Sequence, residues 1–179
     1  MERQNHGTLR RLLFYALCCD LGLFSKRMIA PVANLLTDAL RIPGGIGTAF
    51  SVTFVVLAAA LTPAFGCATL ISFLQSVIAL VMGMTGSMGL LAPIGYLVPG
   101  IVTDAVLSVL RQAGTEEKLQ MVLTTMLSAA SASLTADLLV FHLSGILFTL
   151  YLCTALFSGT VCGLLGFELL KRLRPIITA

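Results

Sequence analysis

The chain has 179 residues, 58% hydrophobic and 11% charged, with a mean hydropathy of +1.00 and a formal net charge of +3. Globular domains are roughly half apolar and about a quarter charged, so an ordinary water-soluble domain is excluded, because too few polar residues exist to cover the apolar ones. The same hydrophobicity excludes a disordered chain. The basic residues sit at the ends of apolar runs, as membrane-topology signals rather than a stripe along a phosphate backbone, and no nucleic-acid partner is expected.

A bilayer core takes about 20 apolar residues per helix. Cutting the sequence at its charges, glycines and prolines leaves six candidate spans, and the expected fold is all-α: a compact bundle of six transmembrane helices in a single integral membrane domain covering residues 1–179. The first span runs from Leu12 to Ser25, and Arg10, Arg11, Lys26 and Arg27 extend it by reaching to the two interfaces. It reads as a retained helix, not a signal peptide, since it runs to Asp20 without an A-x-A site. Met28 to Gly45, MIAPVANLLTDALRIPGG, is too polar to cross. There Asn34, Asp38 and Arg41 fall at helical spacing on one side and Val32, Leu35, Leu36, Ala39 and Leu40 supply the rest, which predicts a short amphipathic helix ended by Pro43, Gly44 and Gly45.

The second span covers residues 47–62, and Pro63 and Gly66 break it from a third over 64–82. The glycines of GMTGSMG, Gly83 to Gly89, predict a loop. A fourth span covers Ala92 to Leu110, a fifth Leu119 to Phe141 and a sixth Ile146 to Leu170. With six spans both termini share one side. That side collects Arg3, Arg10, Arg11, Arg111, Lys118, Lys171, Arg172 and Arg174, against Lys26, Arg27 and Arg41 opposite. The positive-inside rule therefore makes the termini cytoplasmic in a multi-pass protein of a bacterial or archaeal cell membrane, with the amphipathic segment outside.

Ionisable residues inside a membrane are costly and by default face a cavity or a partner group. Asp20, Asp104 and Asp137 lie in spans one, four and five, with Gln75 in span three. Asp137, His142 and Tyr96 fall near the outer ends of their spans and join Asn34, Asp38 and Arg41 as candidates for one outward-opening substrate pocket, walled by the fourth to sixth helices and lidded by the amphipathic segment. In that pocket Asp137 and Asp38 would accept from a cationic or hydrogen-bond-donating ligand, Arg41 would meet an acidic group, and Tyr96 would pack against a ring. Plainer roles stay open for each. Asp104 could cap a backbone donor, Asp20 could pair with Lys26 or Arg27, His142 could be interfacial, and Gln75 could be a bond between helices. Gly159 and Gly163, at G-x-x-x-G spacing, fit either packing within the chain or docking of a partner subunit.

The five cysteines read as small hydrophobes, since no C-x-x-C occurs and neither histidine stands at ligand spacing from a cysteine; no metal or cofactor is expected. TGSMG at Thr85 and HLSG at His142 do not fit a rhomboid-type serine protease, no G-x-G-D motif is present, and no Walker-type phosphate loop occurs, so the chain is not expected to be an enzyme.

The order of IPGG (Ile42 to Gly45), LAAALTPAFGCATL (Leu57 to Leu70), a glycine-rich loop and PIGYLVPGIVTDAVL (Pro93 to Leu107) resembles the substrate-binding S component of an energy-coupling factor (ECF) transporter. The resemblance covers most of residues 10–171 and is nearest to the YkoE-type branch associated with thiamine and its hydroxymethylpyrimidine precursor, in which Asp104 would hold the acidic position late in span four. It implies a subunit that captures a vitamin or related small-molecule micronutrient on the outer face. Its partners would be a transmembrane scaffold subunit and two ATPase subunits that supply the energy. The chain departs from the family's first-helix docking pattern, A-x-x-x-A: Ala16 is followed at that spacing by Asp20, with Gly22 as a weak substitute. The chain contains no Trp, so Tyr96 and the phenylalanines would do the ring stacking. A membrane partner or assembly subunit that binds no small molecule is the alternative.

Overall fold

The computed structural model describes residues 13–29, 31, 46–62 and 64–178, and every regular element among them is helical. In chain order these are α1 (residues 13–29), α2 (Ile46–Leu61), α3 (Cys67–Val81), a 3-10 turn (Gly86–Leu91), α4 (Ala92–Gln112), α5 (Glu117–Ala136) and α6 (Ile146–Thr178). Three stretches, Met88–Gln112, Glu117–Phe141 and Ile146–Pro175, are long and apolar enough to cross a membrane, while Gly47–Leu61 and Cys67–Val81 are shorter apolar helices. Large apolar side chains such as Val81, Leu90, Ile146 and Phe157 stand outward. In water so much exposed apolar surface would drive association, whereas lipid solvates it.

Helix α2 is the hub. From Ser51 to Ala59 nearly every side chain is buried, because neighbours cover it on all sides. Val55, Ala58 and Ala59 pack with Cys18 and Cys19 of α1 and with Ala68 and Ile71 of α3. Val52, Val56 and Leu57 meet Met121 of α5 and Leu170 of α6. Since lipid is as apolar as a leucine side chain, contact between membrane helices relies on close packing, for which small residues are suited. A side chain at Gly159 or Gly163 would put its Cβ 2.8 Å from the Cα of Met126 or Val122, respectively, so these two glycines set α6 directly on the backbone of α5.

Charged side chains fasten the helix ends. Gly66, at φ 89°, opens α3 in the left-handed conformation that glycine adopts without cost. The unpaired amides just inside this end are met from α4: Asp104 accepts from the Ala68 N–H (3.1 Å), the Thr69 N–H (2.8 Å) and the Thr69 hydroxyl (2.6 Å). Arg111, in the last turn of α4, donates to carbonyls at the end of α2 and just past it, those of Ala59 (2.8 Å), Ala60 (3.0 Å) and Thr62 (3.1 Å). A cation suits that end of a helix dipole.

The structure refines several expected boundaries. Helix α1 runs past Ser25 through Ile29, and α6 extends past Leu170 to Thr178. The glycine-rich stretch is only partly loop: it carries the 3-10 turn, kinked at Gly89 (φ 52°). The fifth helix closes in one π-turn, Asp137–Phe141, before His142 reverses the chain at φ 47°.

Candidate ligand site

Between α1, α2, α3 and α4, toward the end where α1 finishes and α2 begins, the bundle encloses a cavity of about 20 Å³, space for about one water molecule. Its wall mixes polar side chains, among them Lys26, Ser51, Ser72, Gln75, Tyr96 and Thr103, with apolar ones such as Val52, Val55 and Pro99. Lys26 Nζ donates to the Tyr96 hydroxyl (3.1 Å) and lies 4.3 Å from the centre of the Tyr96 ring, an attractive position for a cation. Gln75, 1% exposed, donates through Nε2 to the Cys19 carbonyl of α1 at 3.2 Å. The Thr103 hydroxyl donates to the Pro99 carbonyl (2.7 Å) and meets the Ser128 hydroxyl of α5 at 2.8 Å.

Two wall residues stand apart. Ser51 and Ser72 are 3% and 2% exposed, yet neither hydroxyl forms a hydrogen bond among the described residues. Both open onto the cavity, whereas the fully buried hydroxyls without a partner among the described residues are those of Thr124 and Ser133, away from it. Glycines keep the space in front of them open. A Cβ at Gly100 would come within 2.5 Å of the Ser72 hydroxyl, and one at Gly22 would strike the Gln75 amide. Over the Tyr96 side of the site lie Met84 and Met88, packed with Leu23, Ala79 and Ala92. They belong to the segment between Gly83 and Gly89, both at positive φ.

Of the residues expected to bind substrate, the structure brings Gln75 and Tyr96 together in this cavity. The expected pocket is walled by the fourth to sixth helices, whereas this cavity is lined by α1 through α4. Asp104 is not in the lining. Both of its oxygens are bound to the start of α3, so its role is the cap. Asp137 and His142 lie together at the reversal between α5 and α6. There Asp137 Oδ1 accepts from the Leu143 N–H and the Asp137 carbonyl from the His142 N–H, each at 2.8 Å, while the His142 side chain is exposed. Asp137 thus holds a turn in place. Asp20 is exposed on α1 beside an apolar groove that also includes Arg27, and no described ion pair joins it to Lys26 or Arg27. Asn34, Asp38 and Arg41 lie outside the described residues.

The expected docking residues divide as well. Ala16 is exposed on α1 and open to a neighbour. Gly22, Gly159 and Gly163 are buried, and as docking positions they are corrected: the surfaces they open are filled by Gln75 and Ser51, by α5 near Met126, and by α5 near Val122. Sequence reasoning missed Lys26, Ser51, Ser72 and Thr103 as site residues. The available signal was the pairing of small residues with hydroxyls on facing helices, Gly22 with Ser51 and Gly100 with Ser72.

At the opposite end of the bundle a cleft of about 470 Å³ is lined by Arg111, Glu117, Gln120 and Arg174. Its cations are already engaged, Arg111 by the α2 carbonyls and Arg174 by Glu117 at 3.0 Å. Among the described residues no three His, Cys, Asp or Glu side chains are placed to hold a metal ion. Set against known protein families, curated proteins and solved structures, the chain gives no match.

Proposed function

We propose that the protein is a membrane-embedded capture subunit that binds a small, hydrogen-bonding solute in the polar interior between α1 and α4 and hands it to an energy-supplying partner assembly. The observation that carries this reading is the pair of hydroxyls, Ser51 and Ser72, that line one small space and have no hydrogen-bond partner among the described residues. Few, convergent polar groups in an otherwise apolar enclosure are the usual composition of a small-molecule site.

The reading has a geometry. The six helices cross the membrane, the mouth at Lys26 and Tyr96 faces outward, and the termini are cytoplasmic. Admission of anything larger than water requires the Met84–Met88 segment to swing away, with Gly83 and Gly89 as its pivots. The resemblance to ECF S components supplies the rest: a vitamin-sized cargo, a transmembrane scaffold docked along the exposed side of α1 that carries Ala16, and two ATPases.

The test is to purify the protein in lipid nanodiscs, denature it and identify the released small molecules by mass spectrometry. One compound near stoichiometric amount is expected, and adding it back should raise the unfolding temperature. Absence of any such compound, together with no stabilisation by thiamine, hydroxymethylpyrimidine or a wider vitamin panel, would replace this reading with that of a membrane partner without a ligand.

A further inference from the structure

The walls of the cavity carry one formal charge, and it is positive. Lys26 is the sole ionisable cation or anion in the lining apart from the Tyr96 phenol. No carboxylate of the described residues lies within ion-pair distance of it. Among the described residues the aspartates of the helices are placed elsewhere: Asp104 on the start of α3, Asp137 at the α5–α6 reversal, and Asp20 exposed beside the apolar groove on α1. Lys26 is half-buried near the end of α1, where its ammonium can meet a group entering the cavity. Tyr96 engages it in part, through its ring face and by accepting one of the three ammonium hydrogens. Two ammonium hydrogens remain, and so does the phenolic hydrogen, because a hydroxyl that accepts from Lys26 is free to donate onward. Three donors at one mouth, with no acid among them, form a receptor for anionic oxygen.

We infer that the captured molecule carries an anionic oxygen group, a carboxylate or a phosphate, which seats between Lys26 and the Tyr96 hydroxyl while its neutral polar part reaches Ser51 and Ser72. This rests on the capture reading and narrows it. A permanently cationic compound such as thiamine would bring like charge against Lys26 and is selected against, which reverses the ligand charge expected from the aspartates.

The experiment compares compounds released from wild-type protein, Lys26→Met, Lys26→Arg and Tyr96→Phe, each purified in nanodiscs and checked for folding by the protection of buried Cys18, Cys19 and Cys162 from a thiol reagent. The expected result is a wild-type compound with a carboxylate or phosphate, its molecular formula telling which. Lys26→Met should retain less than a tenth of it, Tyr96→Phe several-fold less than wild type, and Lys26→Arg most of it. A neutral or cationic compound released from wild type overturns the inference and leaves the capture reading standing, as does full retention by folded Lys26→Met. Release of nothing from wild type defeats the capture reading itself. If Lys26→Met does not fold, the charge of the wild-type compound and the Tyr96→Phe result decide alone.

Discussion

Glycines bring helices together in two regions of this bundle, with opposite results. Where α6 lies on α5, Gly159 and Gly163 face main-chain Cα atoms, and the space left by the missing side chains is filled by backbone. Where α4 lies on α3, Gly100 faces the Ser72 hydroxyl, and where α1 lies on α2 and α3, Gly22 faces Gln75 and Ser51. Here the space is kept for polar groups and a cavity remains. The difference teaches that a small residue in a membrane helix marks close approach but not its purpose. What stands opposite, a Cα atom or a hydroxyl, separates a seam from a site.

Three substitutions probe this contrast, each read by thermal unfolding with a thiol-reactive dye that reports exposure of Cys18, Cys19 and Cys162. The largest loss is expected for Asp104→Ala. It leaves the buried Ala68 amide and the half-buried Thr69 amide at the start of α3 without acceptors, at about 1–3 kcal/mol for the first and less for the second, so about 3 kcal/mol in all; Asp104→Asn, which keeps one acceptor, should lose about half as much. An Asp104→Ala protein as stable as wild type would show that α3 and α4 hold together by packing alone. Next comes Gly163→Leu, which forces α6 away from α5 and should cost about 2–3 kcal/mol through overpacking. Unchanged stability there would mean that the seam is loose. The smallest effect is expected for Ser51→Ala and Ser72→Ala, within about 0.5 kcal/mol of wild type, because neither hydroxyl loses a protein partner. These two variants should nonetheless retain at least tenfold less bound compound, and a large stability loss with normal retention would place them in the packing.

Much of the helical layout could be read from the sequence, because charges and Gly or Pro punctuation mark where apolar helices stop, and α2, α3 and α4 begin and end within a few residues of the expected places. Residue pairing across helices was harder. Asp104 carries the same one-letter information whether it faces a ligand or an amide, and only the fold places the start of α3 beside it. Lys26 has the spacing of an interfacial anchor, which hides its contact with Tyr96, 70 positions away. Serines in apolar helices usually bond back to their own helix, as Ser76 does to the Phe73 carbonyl. Nothing local distinguishes Ser72, four residues earlier, as the one left over. The G-x-x-x-G spacing correctly signalled a close approach but was silent on whether the neighbour is α5 or another protein.

Arg111 and Asp104 act on the same short stretch, the junction of α2 and α3, and both reach it from α4. The junction is therefore pinned to α4 by two charged side chains, whereas at the far end α1 and α4 share one polar pair, Lys26 with Tyr96. A body fixed at its base and lightly held at its tips behaves like tweezers. If α1 and α4 part, the Lys26–Tyr96 end is where they part first, while the end at the α2–α3 junction stays closed.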